Sequence, residues 1–522
     1  MSIIKLIARC LLICLVGCSE PVYDIVILGG TVYEGLGDTP KVMDVGIIDE
    51  SIAKVGDLSG ASAKATLEVT GMVVSPGFID LHAHLEPLMR LPAAENHIRQ
   101  GITTALGGPD GGGPWPFSQY LDSLDQMELG YNVAYLAGHN NIRREVMGLE
   151  NRAPTRDELE AMKLLVASCM ESGAFGISTG LKYLPGAFSE IGEVIALSKV
   201  ASTHGGIYTS HLREEGLGLI EGVQEAIRIA EEADIPVVLT HHKVVGQPMW
   251  GASKRTLSLV DSARVAGLDV MIDQYPYTAS FTSISILIPA WARAGGQEEF
   301  IRRMNDPVLA DSIKQGTIFN IINDRGGNDL HRVQFARVPW DRSLEGKTLA
   351  YWAKQRNLEK TPENGADLVL EAQLNGGCQA IFHAMDDQDV ERIMAHPQTM
   401  IASDGRLVAF GDSHPHPRWY GTFPRVLGHY VREKKVLNLA EAIKKMTSMP
   451  AARLGLVDRG VIKEGMKADL VVFDPDKIID KATFIEPHQY PEGIDYVIIN
   501  GQLAVDQGRL TGERAGSLLR KE

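Results

Sequence analysis

The sequence is poor in cysteine, and the few cysteines are unevenly placed. Of five cysteines in 522 residues, Cys10, Cys14 and Cys18 fall within the first eighteen residues. Only Cys169 and Cys378 remain in the rest of the chain. Two cysteines in a body of this size do not make a disulfide framework, even in an oxidising compartment. We therefore exclude a disulfide-rich scaffold.

Long runs of basic residues are also absent. The chain carries 66 acidic and 51 basic side chains, for a net charge of −15. Nucleic-acid binding requires Lys and Arg clustered against phosphates, so we expect no nucleic-acid partner. The apolar content of 44% is typical of a soluble globular enzyme. The length is sufficient for one large barrel and a smaller module.

The apolar run near the N-terminus is too short to span a bilayer comfortably. Lys5 and Arg9 form a basic start, and the run ends in Leu15-Val-Gly-Cys18. This ending resembles a bacterial lipobox, which implies that residues 1–18 are a lipoprotein signal peptide and that Cys18 becomes lipid-modified. Because Ser19 and not Asp follows, we expect a periplasmic body anchored to the outer membrane of a Gram-negative host. An ordinary signal peptide or an uncleaved anchor is the alternative.

The most informative stretch is "VSPGFIDLHAHLEP", an apolar strand that ends in His82-x-His84. Residues two apart on a strand point to the same face, so both imidazoles project into one site. Two neighbouring ligands of this kind can hold a divalent metal. A pair of polar surface histidines near a turn is the alternative. More His and Asp residues at later strand ends favour the metal.

The middle of the chain, residues 76–455, alternates strand and helix patterns, which predicts a (β/α)₈ TIM barrel. Residues 19–75 and 456–522 are short β runs with Gly and Asp turns, which predicts a small composite β-sandwich built from both termini. Residues from about 285 to 338 break the rhythm and suggest an insertion near the barrel mouth. Barrel active sites lie at the C-terminal ends of the strands, so the polar residues there are the candidates.

Three runs carry a resemblance to a known family: "PGFIDLHAHLEP", "GLKYLPG" and "HPHPRWYGTFPR". The first resembles the amidohydrolase superfamily signature, and all three together are similar to the D-aminoacylase (N-acyl-D-amino-acid deacylase) family. The resemblance covers nearly the whole chain after the leader. It implies metal ligands at His82, His84, His211 and His241, a catalytic Asp404, and substrate-binding residues Tyr183, Lys243, Tyr275, Arg418 and His139.

Some of these positions leave alternatives. His242 is the fallback for His241, and His139 is equally well a structural histidine. An Asp after an apolar strand, as at Asp404, is often an N-cap. Four histidines ahead of Asp404 in barrel order favour catalysis instead.

Two positions bear on the metal bridge. Many family members carry a metal-binding Cys in an Asn-Cys-Gly turn, where this chain has Asp110. Asp110 is a carboxylate ligand or only a turn former among glycines, and we favour the turn. A lysine carboxylated by CO₂ bridges two metals in many amidohydrolases, and Lys182 would take that part. Since Lys182 lies beyond the apparent strand end, a solvated or substrate-facing lysine is the alternative.

The ligand set predicts metal-assisted hydrolysis of an amide bond. Nitrogen and oxygen ligands suit one or two Zn²⁺ ions, and Ni, Co or Mn are compatible with the same donors. The resemblance implies N-acyl-D-amino acids, or dipeptides with a C-terminal D residue, as substrates. The expected D configuration of the substrate depends on the resemblance alone. A cyclic-amide hydrolase of the dihydroorotase or hydantoinase type, and a lipid-anchored peptide-binding protein, are the alternatives.

Overall fold

A computed structural model describes residues 22–521 of the chain. The predicted signal peptide and Cys18 lie outside these residues. Within the described part, no helix is both long enough and apolar enough to cross a membrane. Cys169 and Cys378 are buried and unpaired with each other.

Eight parallel strands form the central barrel, which confirms the predicted fold class. They are Phe78–Asp80, Ile102–Gly107, Asn132–Tyr135 continued by Ala137–Gly138, Gly176–Gly180, Ile207–His211, Val237–Leu239, Val270–Gln274 and Thr399–Ile401. The extensions of the first and eighth strands pair in parallel, with Gly405 opposite Ala83 and Arg406 opposite His84. This pairing closes the barrel and brings the two ends of the β/α region side by side.

The helices that follow or precede these strands cover the barrel. They are Glu95–Ile98, Phe117–Leu124, His139–Met147, Arg156–Glu171, Ile191–Thr203, Leu219–Ala233, Ser253–Val265, Asp387–Ala395, Arg418–Arg425, Leu439–Met446 and Ser448–Leu454. The fourth of them shows why the sequence folds this way. Thr155 and Glu158 form a capping box at its start, and Met162 and Val166, four residues apart, are buried against the core.

Both chain ends contribute to one β-sheet beside the barrel. In spatial order its strands are Arg509–Leu510, Gln502–Asp506, Ile494–Ile499, Leu470–Phe473, Val73–Pro76, Tyr23–Val32, Lys41–Ile48 and Ser51–Gly56, and Ala63–Glu68 also pairs with Tyr23–Val32. The two halves meet where Val73–Pro76 and Leu470–Phe473 pair antiparallel. The composite origin is as expected, but hydrogen bonds join all nine strands into one continuous sheet and not into two separate ones.

A separate layer follows the seventh barrel strand. Its strands Ser280–Ser283, Gln379–Phe382 and Val333–Arg337 form an antiparallel sheet, and its helices are Gln297–Met304, Pro307–Asn323, Leu349–Gln355 and Pro362–Leu374. They share a core that runs from Ile284 to Phe382. The insertion therefore begins near the expected position but continues past 338. Its later helices and its last strand alternate as they would in a barrel β/α unit, so the end of the insertion cannot be recognised from the sequence pattern.

Candidate metal centre and active site

His82 and His84 lie at the mouth of the barrel, directly after the first strand. The backbone N–H of His82 donates to Asp80 Oδ1 at 3.2 Å. Asp80 also accepts the backbone N–H of Ser403 at 2.9 Å, and burial raises its pKa to about 6. The N–H of Asp404 in turn donates to the carbonyl of His82 at 2.9 Å. These bonds tie the first and eighth strand ends together and hold Asp404 beside the histidines.

Asp110 lies at the centre of the histidine cluster. Its Oδ1 is 3.4 Å from His82 Nε2 and 3.3 Å from His241 Nε2. Its Oδ2 is 3.8 Å from His84 Nε2 and 3.7 Å from His211 Nδ1. The backbone of Asp110 is in a turn conformation, at φ 56°, as the favoured interpretation required. That interpretation missed the side chain, because the loop after the second strand folds over the barrel mouth and turns the carboxylate inward.

His211 and His241 occupy the ends of the fifth and sixth strands. His211 Nδ1 lies 2.8 Å from His241 Nε2, while the neighbouring His242 contacts the Thr256 hydroxyl at 2.9 Å instead. The other ring nitrogens of these two histidines both face the buried carboxylate of Glu215. His211 Nε2 lies 3.4 Å from it and His241 Nδ1 lies 3.2 Å from it. Sequence reasoning overlooked Glu215. Its only signal is its position four residues after a candidate ligand.

These side chains fit a divalent cation. Within residues 22–521, three groups have ligand atoms within 4.8 Å of one another: His82 with Asp110 and His241, His82 with His84 and Asp404, and His211 with Glu215 and His241. Both ring nitrogens of His82 and Oδ1 of Asp110 are buried without a hydrogen-bond partner in this part of the chain. Buried polar atoms without a partner are costly, and imidazole with carboxylate is a donor set that suits Zn²⁺.

Asp404 adjoins the cluster as an ionised carboxylate. Its Oδ1 lies 3.3 Å from His84 Nε2, 3.8 Å from His82 Nε2 and 2.9 Å from Nη2 of Arg418. Burial raises the pKa of Asp404. The charge of Arg418 and the hydrogen bond with His84 lower this pKa by more than burial raises it, so it lies below its usual value. Asp404 is therefore negatively charged at neutral pH. Its positive φ of 47° is uncommon for a residue other than glycine.

A cavity of about 290 Å³ opens onto the cluster, and Tyr183, Lys243 and Arg418 all line it. Nε and Nη1 of Arg418 are buried without a hydrogen-bond partner among the described residues, and its guanidinium places a positive charge at the cavity wall. The Tyr275 ring lies 4.4 Å from the guanidinium carbon of Arg418. Because the Tyr275 hydroxyl points 3.8 Å from the Met385 sulfur and Tyr275 is not among the lining residues, it supports Arg418 from behind.

Two further expected site residues also lie outside the cavity lining. His139 Nε2 is 2.8 Å from Glu193, in a buried ion-pair network. The Lys182 ammonium lies 2.6 Å from Glu214 and 3.4 Å from Asp324. Neither His139 nor Lys182 lines the cavity. Lys182 lies in a loop that extends beyond its strand. The position expected for a bridging carboxylate is taken by Asp110, at the centre of the histidine cluster.

Comparisons with known proteins agree with this architecture. Residues 343–505 match the Amidohydrolase family. The chain is 37% identical to a D-aminoacylase of Alcaligenes xylosoxydans xylosoxydans, over 96% of this chain and 98% of that protein. It resembles a zinc- and phosphonate-bound N-acyl-D-glutamate deacylase of Bordetella bronchiseptica with a TM-score of 0.82 and 32% identity, over 96% of this chain and 100% of that one.

A D-aminoacylase studied for its binuclear metal center gives a TM-score of 0.81 at 35% identity, again over 96% of this chain and 100% of the other. Identity at this level over almost the whole length exceeds what a shared fold alone would require. The expected resemblance is therefore confirmed. The chain is a metal-dependent amidohydrolase and belongs to the D-aminoacylase (N-acyl-D-amino-acid deacylase) family.

Proposed function

We propose that this protein hydrolyses the amide bond of N-acyl-D-amino acids at a zinc centre to which Asp110 would contribute its carboxylate. The observation that carries this proposal is the position of Asp110, within 3.3 to 3.8 Å of four imidazoles. The Asp404–Arg418 pair lies beside them. The preference for the D configuration is inferred from the relatives, whose names specify D-amino acids.

The side chains divide into two adjoining ligand groups. His82, His84 and Asp404 would hold one ion, and His211 and His241 another. The central carboxylate contacts the histidines of both groups and would belong to both. Bound zinc supplies Lewis acidity, which polarises a carbonyl and lowers the pKa of water to about 7.

Asp404 performs the proton transfers. Its ionised carboxylate accepts the proton of the attacking water and returns it to the leaving amine nitrogen, as a general base and then a general acid. Arg418 donates to Asp404 from one side, which fixes the orientation of the carboxylate and favours its charged form. A neutral side chain at this position could not accept the proton.

Arg418 and Lys243 form the anion-binding subsite for the substrate. The positive charge of the Arg418 guanidinium at the cavity wall would attract the α-carboxylate of the substrate. The Lys243 ammonium is held 2.5 Å from Glu215 and lines the same cavity. A free carboxylate next to the scissile amide is the feature that these two cations recognise.

One experiment separates this function from its alternatives. Purified protein of known zinc content is assayed with N-acetyl-D-leucine, N-acetyl-L-leucine, dipeptides with a C-terminal D-leucine, and a hydantoin. We expect release of amine from the D compounds in proportion to bound zinc. Turnover of the hydantoin alone would establish a cyclic-amide hydrolase, and tight binding without release would establish a binding protein.

We also propose that the mature protein is attached to a bacterial membrane through lipid on Cys18. The support is the lipobox-like Leu15-Val-Gly-Cys18. Mass spectrometry of the mature N-terminus tests it. A chain that begins at an unmodified Met1, or at an unlipidated later residue, would contradict the proposal.

A further inference from the structure

A second groove continues the catalytic cavity. It has a volume of about 370 Å³ and lies between the insertion and the barrel loops. Four side chains line both spaces: Phe281, Gln379, Arg406 and Trp419. The two spaces therefore adjoin along these side chains. Neither the metal ligands nor the carboxylate anchor occupies this space, so the proposed reaction leaves it without a role.

The groove is basic, although the chain as a whole carries a net charge of −15. Arg90, Arg337 and Arg406 line it, and Asp412 is the one acidic residue among its lining. Within residues 22–521, Arg90 and Arg337 form no ion pair, and the carboxylate paired with Arg406 is that of Glu86 at 3.6 Å. The guanidinium groups come from both walls, since Arg337 ends a strand of the insertion and Arg90 lies in a barrel loop.

The position of Arg418 sets the direction in which the acyl chain of the substrate extends. Arg418 holds the α-carboxylate inside the cavity in the proposed function. A trans amide places its acyl substituent and its Cα on opposite sides of the C–N bond, so the acyl chain leads away from the anchor. Because Arg406 lines both spaces, an acyl chain that passes Arg406 would meet the groove and its arginines.

We propose, on the basis of the deacylase function above, that the groove binds a second carboxylate carried by the acyl group. The favoured substrates are then N-acyl-D-amino acids whose acyl part is a dicarboxylic acid. Arg90 and Arg337 receive the distal carboxylate, and Arg406 lies at the junction with the cavity. Because these contacts are exposed, each contributes modestly, and we expect an overall preference of about tenfold.

The test compares two substrates that differ only in charge, N-succinyl-D-leucine and N-succinamyl-D-leucine. The readout is the ratio of their kcat/KM values in the zinc-loaded full chain. We expect a ratio of about ten in the wild type, a smaller ratio at high salt, and a ratio near one in the Arg90→Gln, Arg337→Gln double variant. Arg342→Gln, an exposed position on the same insertion that lines neither space, is the control and should keep the wild-type ratio.

The other source of a second carboxylate is the amino-acid side chain. The same variants are therefore assayed with N-acetyl-D-glutamate and N-acetyl-D-glutamine. A variant effect on this second pair, and not on the first, would overturn the acyl assignment. A wild-type ratio of one for the succinyl pair would overturn the inference while leaving the deacylase function intact. No turnover of any of the four compounds would overturn the proposed function and this inference together.

Discussion

Glu215 offers the sharpest test of how the metal centre is held. It is a buried carboxylate that faces the outer nitrogens of His211 and His241 at 3.4 and 3.2 Å. It also pairs with Lys243 at 2.5 Å and with Arg325. The change Glu215→Gln keeps the shape of the side chain but removes its charge. It therefore weakens the orientation of both histidines without creating a cavity.

Two effects of this change have different sizes. Removing the carboxylate behind metal-binding histidines typically lowers metal affinity about 10- to 100-fold, which corresponds to about 1.4 to 2.7 kcal/mol. Breaking a buried ion pair costs about 3 to 5 kcal/mol of folding stability, and here the buried Lys243 and Arg325 lose a shared partner. A single glutamine oxygen still accepts one hydrogen bond, so we expect the lower end of both ranges.

The assay is zinc competition against a chromophoric chelator, with thermal unfolding measured on the same samples. We expect weaker zinc binding, a lower midpoint of unfolding, and a raised KM at saturating zinc because Lys243 is less firmly placed. Glu214→Gln is the matched control. Glu214 is the adjacent residue, its side chain is 42% exposed, and it pairs with Lys182 outside the cluster. Equal zinc affinity in the Glu215→Gln variant and the wild type would refute the assigned role.

Four further outcomes are expected. Asp404→Asn should lower kcat by about 10² to 10⁴, the usual contribution of a general acid–base group, with zinc content by mass spectrometry as the check; unchanged kcat would exclude the proton-transfer role. Asp110→Ala should reduce bound zinc, and full metal content in this variant would show that the central carboxylate is dispensable. Arg418→Met should raise KM for N-acetyl-D-leucine far more than for its neutral amide, and an equal rise for both would remove the assigned anchor. Because the pKa of Asp404 lies below its usual value, its protonation should not reduce kcat/KM between about pH 5 and 8. A fall in kcat/KM within that range, with a midpoint that Asp404→Glu moves to higher pH, would contradict the ionised state.

The barrel and the first ligands could be predicted because their signals are local. Alternation of strand and helix patterns over residues 76–455 reflects the packing needs of each element separately. The period of two along a strand places His82 and His84 on one face whatever surrounds them. The polar residues that end later strands, such as His211 and Asp404, follow from the rule that barrel sites form at one end of the strands.

The insertion shows where local signals mislead. Its helix Pro362–Leu374 and strand Gln379–Phe382 have the spacing of another β/α unit. The strand pairs antiparallel between Ser280–Ser283 and Val333–Arg337, which no periodicity within it reveals. Pairing partners are chosen by the tertiary core, so the end of the insertion was placed too early.

The residue pattern alone predicts the barrel, the composite origin of the terminal sheet and the strand ends from which ligands project. The inward direction of Asp110, the contacts of Glu215 with two histidines and the pairing of Lys182 with other carboxylates appear only in the folded chain. This difference arises because a strand sets the direction of its own side chains. The conformation of a loop beyond it, in contrast, depends on contacts with residues far away in the chain, and these exist only once the barrel has closed.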